Sequence, residues 1–479
     1  MPNKVVQPRL KHLVFPILFF SVGLLAAQQT HWMGWAEFRS QVLLHHPLSR
    51  QADLYRDQAE AGLLRAKGGF DPKAYADFST KAFGKKNYFR YTETGIKWPT
   101  WLGLELKGNY NLATGEFLNP ESKIPKNGQI AAGFNWTLGQ GLFFDDRRAG
   151  LEQGRIGLLK AAAERNAVVN DLLLDAAKAY WNWVLADYQI RIFQDALRQA
   201  QIRYEGLRES YRQGDKPAID TLEAFIQVQN RRLDLQFAEM ERQNATLEIG
   251  TYLWSADGFP MRPVDFPAAQ DLSAGLFNPA GPGAADSLIQ TAKARHPALL
   301  QYALKLKELD VERRLKLEEK KPILDFHYQL LGNGWQFFPT AGIDGVGILG
   351  NDIKWGIQFS YPLLNRKARG DLQSTRIKIA QTDFSWQQKR LEIENKVRQY
   401  LNELDALAGQ IATFRDISAN YRILLEAENE KFRFGESSVF LINTREQRWL
   451  EAQIKYLKLL CAYRKTEAGL WWATGTLAE

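Results

Sequence analysis

The dominant pattern of the chain is a pair of very long helical stretches that contain no proline. In the first, over about residues 145–212, apolar residues recur three and four positions apart, which predicts an α-helix. A second stretch, over about 366–433, has the same character. Each helix would be roughly 100 Å long at about 1.5 Å per residue, and no compact globular domain holds such a rod. The apolar positions of the first stretch include Val169, Leu172, Ala176, Ala179, Trp183, Ala186, Ile190, Phe193, Leu197 and Ala200.

Each long stretch ends at a glycine-centred turn, and another helical pattern follows it. The two together predict a long helical hairpin, and the chain contains two of them. Shorter helices precede each hairpin, and prolines mark where they begin or break. The predicted helical regions are 34–67 with a break at Pro47, 145–254 with a turn at Gly214, 297–320 after Pro297, and 366–472 with a turn at Gly435.

Between the short and the long helices, the period of the pattern changes to two. Apolar residues at 324, 326, 328 and 330 alternate with polar residues, which predicts a β-strand with one apolar and one polar face. Strands of this length with aromatic residues near their ends are typical of outer-membrane barrels. An ordinary half-buried sheet has the same period and is the alternative. The predicted strand regions are 73–141 and 322–363.

The chain contains this order of elements twice. A shift of 250 residues places His46-Pro47 on His296-Pro297, and a shift of 221 places Leu142 on Leu363. The two shifts differ by 29 residues, so the first copy carries an insertion of that length within 73–141. The alternation within it predicts an extended or extra hairpin and a longer surface loop. We therefore divide the chain into repeat 1 (28–254), a connecting segment rich in Pro, Gly and Ala (255–285) and repeat 2 (286–479).

The first 27 residues have the character of a signal peptide. Basic residues precede an apolar run that closes with small residues. We therefore expect export and removal of 1–27. An exported chain whose only cysteine is Cys461 cannot form an intramolecular disulfide bond, so packing alone must hold the fold.

Composition and motifs argue against several other classes of function. Net charge is +8 and pI about 9.2, but no basic cluster is interleaved with aromatic residues, so we expect no nucleic-acid partner. The chain lacks the spacing of a zinc site, a serine-hydrolase elbow and a phosphate-binding loop, so we expect no enzyme activity, metal or cofactor. The acidic pair Asp145-Asp146 is interpreted as a helix start, where negative charge favours the helix dipole.

Three stretches carry a resemblance to a known family. They are Phe-Ser-Tyr-Pro-Leu-Leu-Asn-Arg-Lys-Ala-Arg (359–369), the turn Phe-Arg-Phe-Gly-Glu-Ser-Ser-Val-Phe-Leu-Ile-Asn-Thr (432–444) and its first-copy counterpart Tyr-Arg-Gln-Gly-Asp-Lys-Pro-Ala-Ile-Asp-Thr (211–221). In these motifs and in the order of its elements, the chain resembles the outer membrane efflux proteins, the TolC-like channel-tunnels. The resemblance covers nearly all of the mature chain.

The resemblance implies a mainly α-helical fold with a transmembrane β part. About four strands per protomer would join a barrel shared by a homotrimer, in contact with outer-membrane lipid, and the helical hairpins would form an α-barrel tunnel across the periplasm of a Gram-negative bacterium. A lone four-stranded sheet has unpaired edges, which lipid does not tolerate, so closure among subunits also follows physically. Such channels are passive ducts that dock a periplasmic adaptor and an inner-membrane pump or ABC exporter.

The resemblance also points to the two turns as the periplasmic tip, where gating and adaptor docking occur. Phe432 stands where the family usually has Tyr, Ser437 replaces a tip Arg, and acidic positions of the second turn are Leu441 and Thr444 here. Closure would then depend on apolar packing by phenylalanines or on the acids of the first turn. The candidate tip residues are Tyr211, Gly214, Asp215, Asp220, Glu223, Phe432, Phe434, Gly435, Glu436 and Ser437.

Two other functions remain as alternatives. One is an exported coiled-coil protein with a structural or interaction role that does not span a membrane. The other is an exported enzyme with helical and β parts. If the protein is a duct, its substrate would be set by the pump and the adaptor, so the sequence leaves the substrate open, as well as the choice between efflux and type I secretion.

Overall fold

The computed structural model describes residues 33–120, 123–262, 272, 284–336 and 352–478. The predicted signal peptide (1–27) lies outside the described residues, as does most of the predicted connecting segment (255–285). The described helices are α1 (Trp35–His45), α2 (Pro47–Lys67), α3 (Asp146–Arg212), α4 (Ala218–Gly250), α5 (Ala284–Arg295), α6 (Pro297–Glu318), α7 (Arg366–Arg433) and α8 (Val439–Thr474).

The long helices α3 and α7 are preceded by different N-cap residues, an aspartate at α3 and an asparagine at α7. At α3, the Asp145 carboxylate accepts a hydrogen bond from the Arg148 backbone N–H at 3.0 Å and pairs with the side chains of Arg147 and Arg148. These donors lower the pKa of Asp145 against the opposing effect of its burial. At α7, Asn365 precedes the helix in the left-handed conformation, with φ of 44°. The acidic pair at 145–146 thus starts a helix, as expected.

The short helices α2 and α6 begin in the same way in both repeats. His46 and His296 each precede a proline at the first helical position. The Nδ1 atom of each imidazole accepts the backbone N–H two residues further on, from Leu48 and Ala298, at 3.2 Å in both cases. The His-Pro pairs found at a shift of 250 are therefore equivalent N-caps.

The strands form one antiparallel sheet in sequence order, β1-β2-β3-β4-β5-β6. About four strands were expected, and the sheet has six because the insertion folds into it. The shifts of 250 and 221 match β1 to β5 and β4 to β6, which leaves β2–β3 as the extra hairpin. The strands are β1 (Lys73–Phe83), β2 (Lys86–Pro99), β3 (Leu104–Thr114), β4 (Gln129–Thr137), β5 (Ile323–Leu331) and β6 (Ile353–Ser360).

The two faces of the sheet differ in polarity. Across the register, one face carries rows such as Leu106, Phe134 and Tyr328, or Trp136, Phe326 and Ile357. The other face carries Lys107 beside Gly133 and Gln329, and Thr137 beside Asp325 and Gln358. Apolar side chains on the first face are exposed to solvent in the isolated protomer.

The main hydrophobic core lies among the helices. It forms where α1, α5 and the C-terminal part of α8 pack on the middle of α3 and α7, around Phe38, Tyr180, Leu404 and Leu470, all fully buried. The helices α3 and α4 form one antiparallel hairpin and α7 and α8 the other, with α6 between α3 and α7. Among the described residues, no helix is both long enough and apolar enough to cross a membrane.

Candidate functional site

The two hairpin turns, α3–α4 and α7–α8, share one backbone conformation. Gly214 has φ of 83° and Gly435 has φ of 79°. In the first turn, the N–H groups of Gly214 and Asp215 donate to the carbonyls of Tyr211 and Ser210, and the second turn repeats both bonds 221 residues later. These bonds satisfy helix-end carbonyls in the manner of a Schellman motif, which requires a residue at positive φ. Glycine adopts that conformation at the lowest cost.

The first turn presents three acids with different surroundings. Asp215 is exposed, and Asp220 is half-buried in the first turn of α4. Glu223 lies one turn further and accepts a hydrogen bond from the Asn443 side chain at 3.4 Å. Tyr211, at the end of α3, is 48% exposed. The first turn is therefore acidic and open to solvent.

The second turn combines exposed aromatic rings with a buried acid. Phe434 is 82% exposed, whereas Glu428, one helical turn before the end of α7, is only 9% exposed. Ser437 donates a hydrogen bond to the Glu428 carboxylate at 2.6 Å, and Arg445 lies 3.6 Å from it. The Ser437 hydrogen bond, followed by the charge of Arg445, lowers the pKa of Glu428. Gly435 and Glu436 are exposed.

The structure brings the two turns together. Lys216 of the first turn lies over the ring of Phe432 in the second, 5.2 Å from its centroid, which is a cation–π contact. Phe432 also packs against a small buried cluster contributed by both hairpins: Leu207, Ala224 and Val439. The predicted tip residues thus form one composite surface, which we call the tip, and Phe432 has a packing role there that needs no hydroxyl.

Behind the tip, a buried ion pair joins the hairpins. The guanidinium of Arg203 on α3 pairs with Glu446 on α8 through two hydrogen bonds of 3.1 and 3.2 Å, and it donates to Asn443 at 2.9 Å. The Glu446 side chain is 5% exposed. At the next residue of α8, Gln447 accepts a hydrogen bond from the fully buried Arg231 of α4. These residues were absent from the sequence prediction, since each looks like one polar position among many on a helix.

The tip can hold two helical hairpins together and present charge to solvent. Its acids are separated by Lys216, Asn443 and Arg445, and no group of three or more potential metal ligands occurs among the described residues. Chemically, it therefore offers polar links between the hairpins and exposed aromatic surface.

Comparison with known proteins decides the family. The family model described as outer membrane efflux protein matches residues 103–253 and 288–476, one segment in each repeat. The chain belongs to the outer membrane efflux protein family. The two matched segments include the strands β3 to β6 and both helical hairpins, so the family relationship covers the helical and the β parts. No curated protein sequence matches the chain.

Solved structures share the fold at low sequence identity. The chain is similar to CusC, with a TM-score of 0.66, 17% identity, and 92% of this chain and 91% of that chain covered. It is also similar to the CmeC outer membrane channel of Campylobacter jejuni, with a TM-score of 0.65 and 13% identity, over 98% of this chain and 94% of that chain. The similarity to the open state of the MtrE outer membrane channel of Neisseria gonorrhoeae has a TM-score of 0.66 and 15% identity, over 92% of this chain and 89% of that chain. The TolC-like architecture of two repeats therefore applies to this outer-membrane efflux family member.

Proposed function

We propose that the protein is a trimeric channel-tunnel of the outer membrane, the passive exit duct of a tripartite efflux system or a type I secretion system. Its sheet would join a barrel in the membrane, and its helical hairpins would extend through the periplasm as a tunnel. The duct would perform no reaction and would hold no cofactor.

The two-faced sheet carries this proposal. A six-stranded open sheet with an exposed apolar face and two unpaired edges cannot remain alone in water or in lipid. Three copies closed edge to edge would give every strand a partner, place the apolar face toward lipid and leave a polar bore. The family itself supports the same arrangement.

The tip is the proposed place of gating and of adaptor docking. The backbone turns at Gly214 and Gly435 leave exposed side chains on the outer end of each hairpin. We propose that the acidic first turn and the aromatic second turn close the tunnel together, and that the adaptor contacts both. The proposed tip residues are Tyr211, Gly214, Asp215, Asp220, Glu223, Phe432, Phe434, Gly435, Glu436 and Ser437.

Membrane fractionation and bilayer recording test the channel. The full-length protein, expressed in a Gram-negative host, should enter the outer-membrane fraction and migrate as a heat-modifiable trimer. Reconstituted into planar bilayers, the trimer should conduct ions. A soluble periplasmic monomer would contradict the proposal and favour the exported coiled-coil alternative.

Cross-linking at the tip tests the partners. A photoreactive amino acid at the exposed position Glu436 should capture a periplasmic adaptor in cells of the native host. If the complex also contains a proton-driven pump, the system performs efflux, and an ABC exporter would indicate secretion. The matched control is the same amino acid at Arg90, on the β2 strand far from the tip, which should capture no adaptor. Capture at Arg90 but not at Glu436 would overturn the docking site.

A further inference from the structure

The inserted hairpin β2–β3 distinguishes this chain from its own second repeat. In repeat 2 the described strands β5 and β6 pair directly with each other, whereas repeat 1 places two more strands between β1 and β4. A hairpin outside the membrane would need solvent-compatible side chains on both faces. A hairpin within a barrel wall would continue the two-faced pattern of its neighbours.

The apolar face continues without interruption across the hairpin. Ile96 lies beside Gly108 and Ala132, and Trp98 lies beside Leu106 and Phe134. Ile96 and Trp98 are more than half exposed in the described part of the protomer. Away from the outer ends of β2 and β3, the positions of this face are Thr92, Thr94, Ile96, Trp98, Leu104, Leu106, Gly108, Tyr110 and Leu112.

The charged residues of the hairpin lie mainly on the polar face of the sheet. In the register of β1–β3, the only charged side chains on the apolar face are Lys86 and Arg90, and both lie near the outer ends of the strands. The charged residues on the polar face are Lys73, Asp77, Lys81, Glu93, Lys97, Glu105 and Lys107. Because a charge in the middle of the lipid-facing side is costly, this sorting is what a membrane-spanning hairpin requires.

On the polar face, one carboxylate joins three strands. Glu93 of β2 accepts a hydrogen bond from Tyr75 of β1 at 2.7 Å and pairs with Lys107 of β3 at 2.8 Å. Tyr91 also donates to it at 3.4 Å, and Lys97 lies 4.6 Å from the Tyr75 ring centroid. Glu93 and Lys107 are each 19% exposed. This cluster fixes the hairpin to β1, so that β1 rather than β3 is the free edge of the sheet.

We propose that β2 and β3 cross the outer membrane as part of the barrel wall, so that three chains close an eighteen-stranded barrel through β1 of one protomer and β6 of the next. The proposal rests on the proposed channel function. Barrel diameter grows roughly linearly with the number of strands, so the bore is about 1.5 times as wide at the backbone as with four strands per chain. The Glu93–Lys107 cluster of each chain then lines that bore.

Cysteine accessibility tests whether the hairpin crosses the membrane. The background is Cys461→Ala, since Cys461 is buried and 1% exposed. Ile96→Cys and Leu112→Cys probe the apolar face, and Asn111→Cys probes the polar face of β3. The matched pair on β6 is Ile357→Cys and Gln358→Cys. The trimers, in phosphatidylcholine vesicles, are treated with a charged, membrane-impermeant maleimide.

We expect positions 111 and 358 to react, and positions 96, 112 and 357 to react about tenfold more slowly or not at all, because lipid excludes the charged reagent. If 96 and 112 react as fast as 111 while 357 stays protected, the hairpin lies outside the membrane and this inference is overturned with the channel intact. If 357 also reacts freely, the sheet is not in the membrane, and the proposed function fails together with the inference.

Disulfide cross-linking tests which strand closes the barrel. In the same background, Ala76→Cys on β1 is combined in turn with cysteine at Ile353, Trp355 and Ile357 on β6. Oxidation should give covalent dimers and trimers for at least one pair, whereas Leu106→Cys on β3 should give none with the same partners. Cross-linking from β3 but not from β1 would show a smaller barrel with β1–β2 outside it and would overturn the inference.

Discussion

The two repeats agree in the backbone geometry of their helix starts and hairpin turns, and they differ in their described strands and in the side chains of their turns. Both repeats start a short helix with a His-Pro cap and turn their long hairpin on a glycine at positive φ with the same two hydrogen bonds. They differ in the sheet, where repeat 1 has two more strands, and at the tip, where repeat 1 is acidic and repeat 2 aromatic. The shared caps and turns determine the common helical scaffold. The differences in the sheet and at the tip are where the two repeats can differ in function.

The comparison also shows that side-chain contacts between the repeats join the two halves of the tip. Arg203 and Asn443, Glu223 and Asn443, and Lys216 and Phe432 all join a residue of repeat 1 to a residue of repeat 2. These contacts between the two hairpins therefore stabilise the tip, and substitutions at this boundary should have the largest effects on local stability.

The largest effect is expected for Glu446→Ala. This change removes the carboxylate that pairs with the mostly buried Arg203, which keeps its hydrogen bond to Asn443. Leaving the guanidinium without an opposite charge should cost about 2–3 kcal/mol of local stability. Amide hydrogen exchange of the reconstituted protein, measured by mass spectrometry, should be faster by about 30–150-fold in this part of α3 and α8.

The control is Glu451→Ala on the same helix. Glu451 pairs with Arg448 at 3.4 Å, and both side chains are more than half exposed, so an effect of no more than about 0.5 kcal/mol is expected. Equal exchange in the two variants would mean that the Arg203–Glu446 pair does not hold the hairpins together.

The next effect concerns the two histidine caps and pH. Burial lowers the pKa of His296 to about 4 and lowers that of His46 as well. The neutral imidazole accepts the backbone N–H, so the cap contributes fully above the ordinary pKa near 6.5 and is lost as pH falls from about 6.5 toward 4. The thermal unfolding temperature of the protein should therefore drop across this range.

His296→Asn isolates this contribution. Asparagine can cap a helix but does not titrate, so the variant should lose part of the decline in unfolding temperature between pH 6.5 and 4. His46→Asn should change the slope less, because a hydrogen bond with the Thr251 backbone partly offsets the effect of burial on the pKa of His46. A slope identical to that of the unchanged protein in His296→Asn would contradict the cap as the source.

A smaller loss of stability, of the same size at both turns, is expected for Gly214→Ala and Gly435→Ala. No atom lies within 4 Å of a Cβ placed on either glycine, so the only cost is the positive φ, about 1 kcal/mol for an L-residue. Exchange at both hairpin ends should accelerate to a similar extent. Gly206→Ala, within α3 and equally unobstructed, should instead stabilise the helix slightly. A markedly larger increase in exchange at one turn than at the other would show that the two turns are not equivalent.

Local residue patterns predicted the helices and turns well, for physical reasons visible in the chain. The stretch without proline expected over 145–212 is the helix Asp146–Arg212, because Asp145 caps its start and Gly214 can adopt the left-handed conformation that ends it. The stretch expected over 366–433 is Arg366–Arg433. These are local signals, which depend on backbone geometry and the residues that permit it.

Pairings distant in sequence could not be predicted in this way. Arg203 and Glu446 are 243 residues apart, and no periodicity relates them. The number of strands was underestimated because alternation shows that a segment is two-faced but not which neighbours it joins. The pairing of β2 with both β1 and β3 depends on the register, in which Glu93 meets Tyr75 and Lys107. The predicted roles of the tip residues remain predictions.

The smallest effect on stability, and the sharpest test of the difference between the two turns, is expected for Asp220→Ala. Asp220 is half-buried and its carboxylate has no side-chain partner among the described residues of the protomer. The change should alter the free energy of unfolding by no more than about 0.5 kcal/mol. If acids of the first turn help to close the tunnel in the trimer, the basal conductance in planar bilayers should nevertheless rise.

Phe434→Ala is the counterpart in the second turn. Phe434 is 82% exposed, so its loss also leaves the protomer stable, while any closure by aromatic packing between subunits is weakened. A rise in conductance for Asp220→Ala alone would assign closure to the acidic turn, and a rise for Phe434→Ala alone would assign it to the aromatic turn. Because both variants keep the Gly214 and Gly435 turns intact, conductance unchanged in both would mean that neither residue holds the tunnel shut.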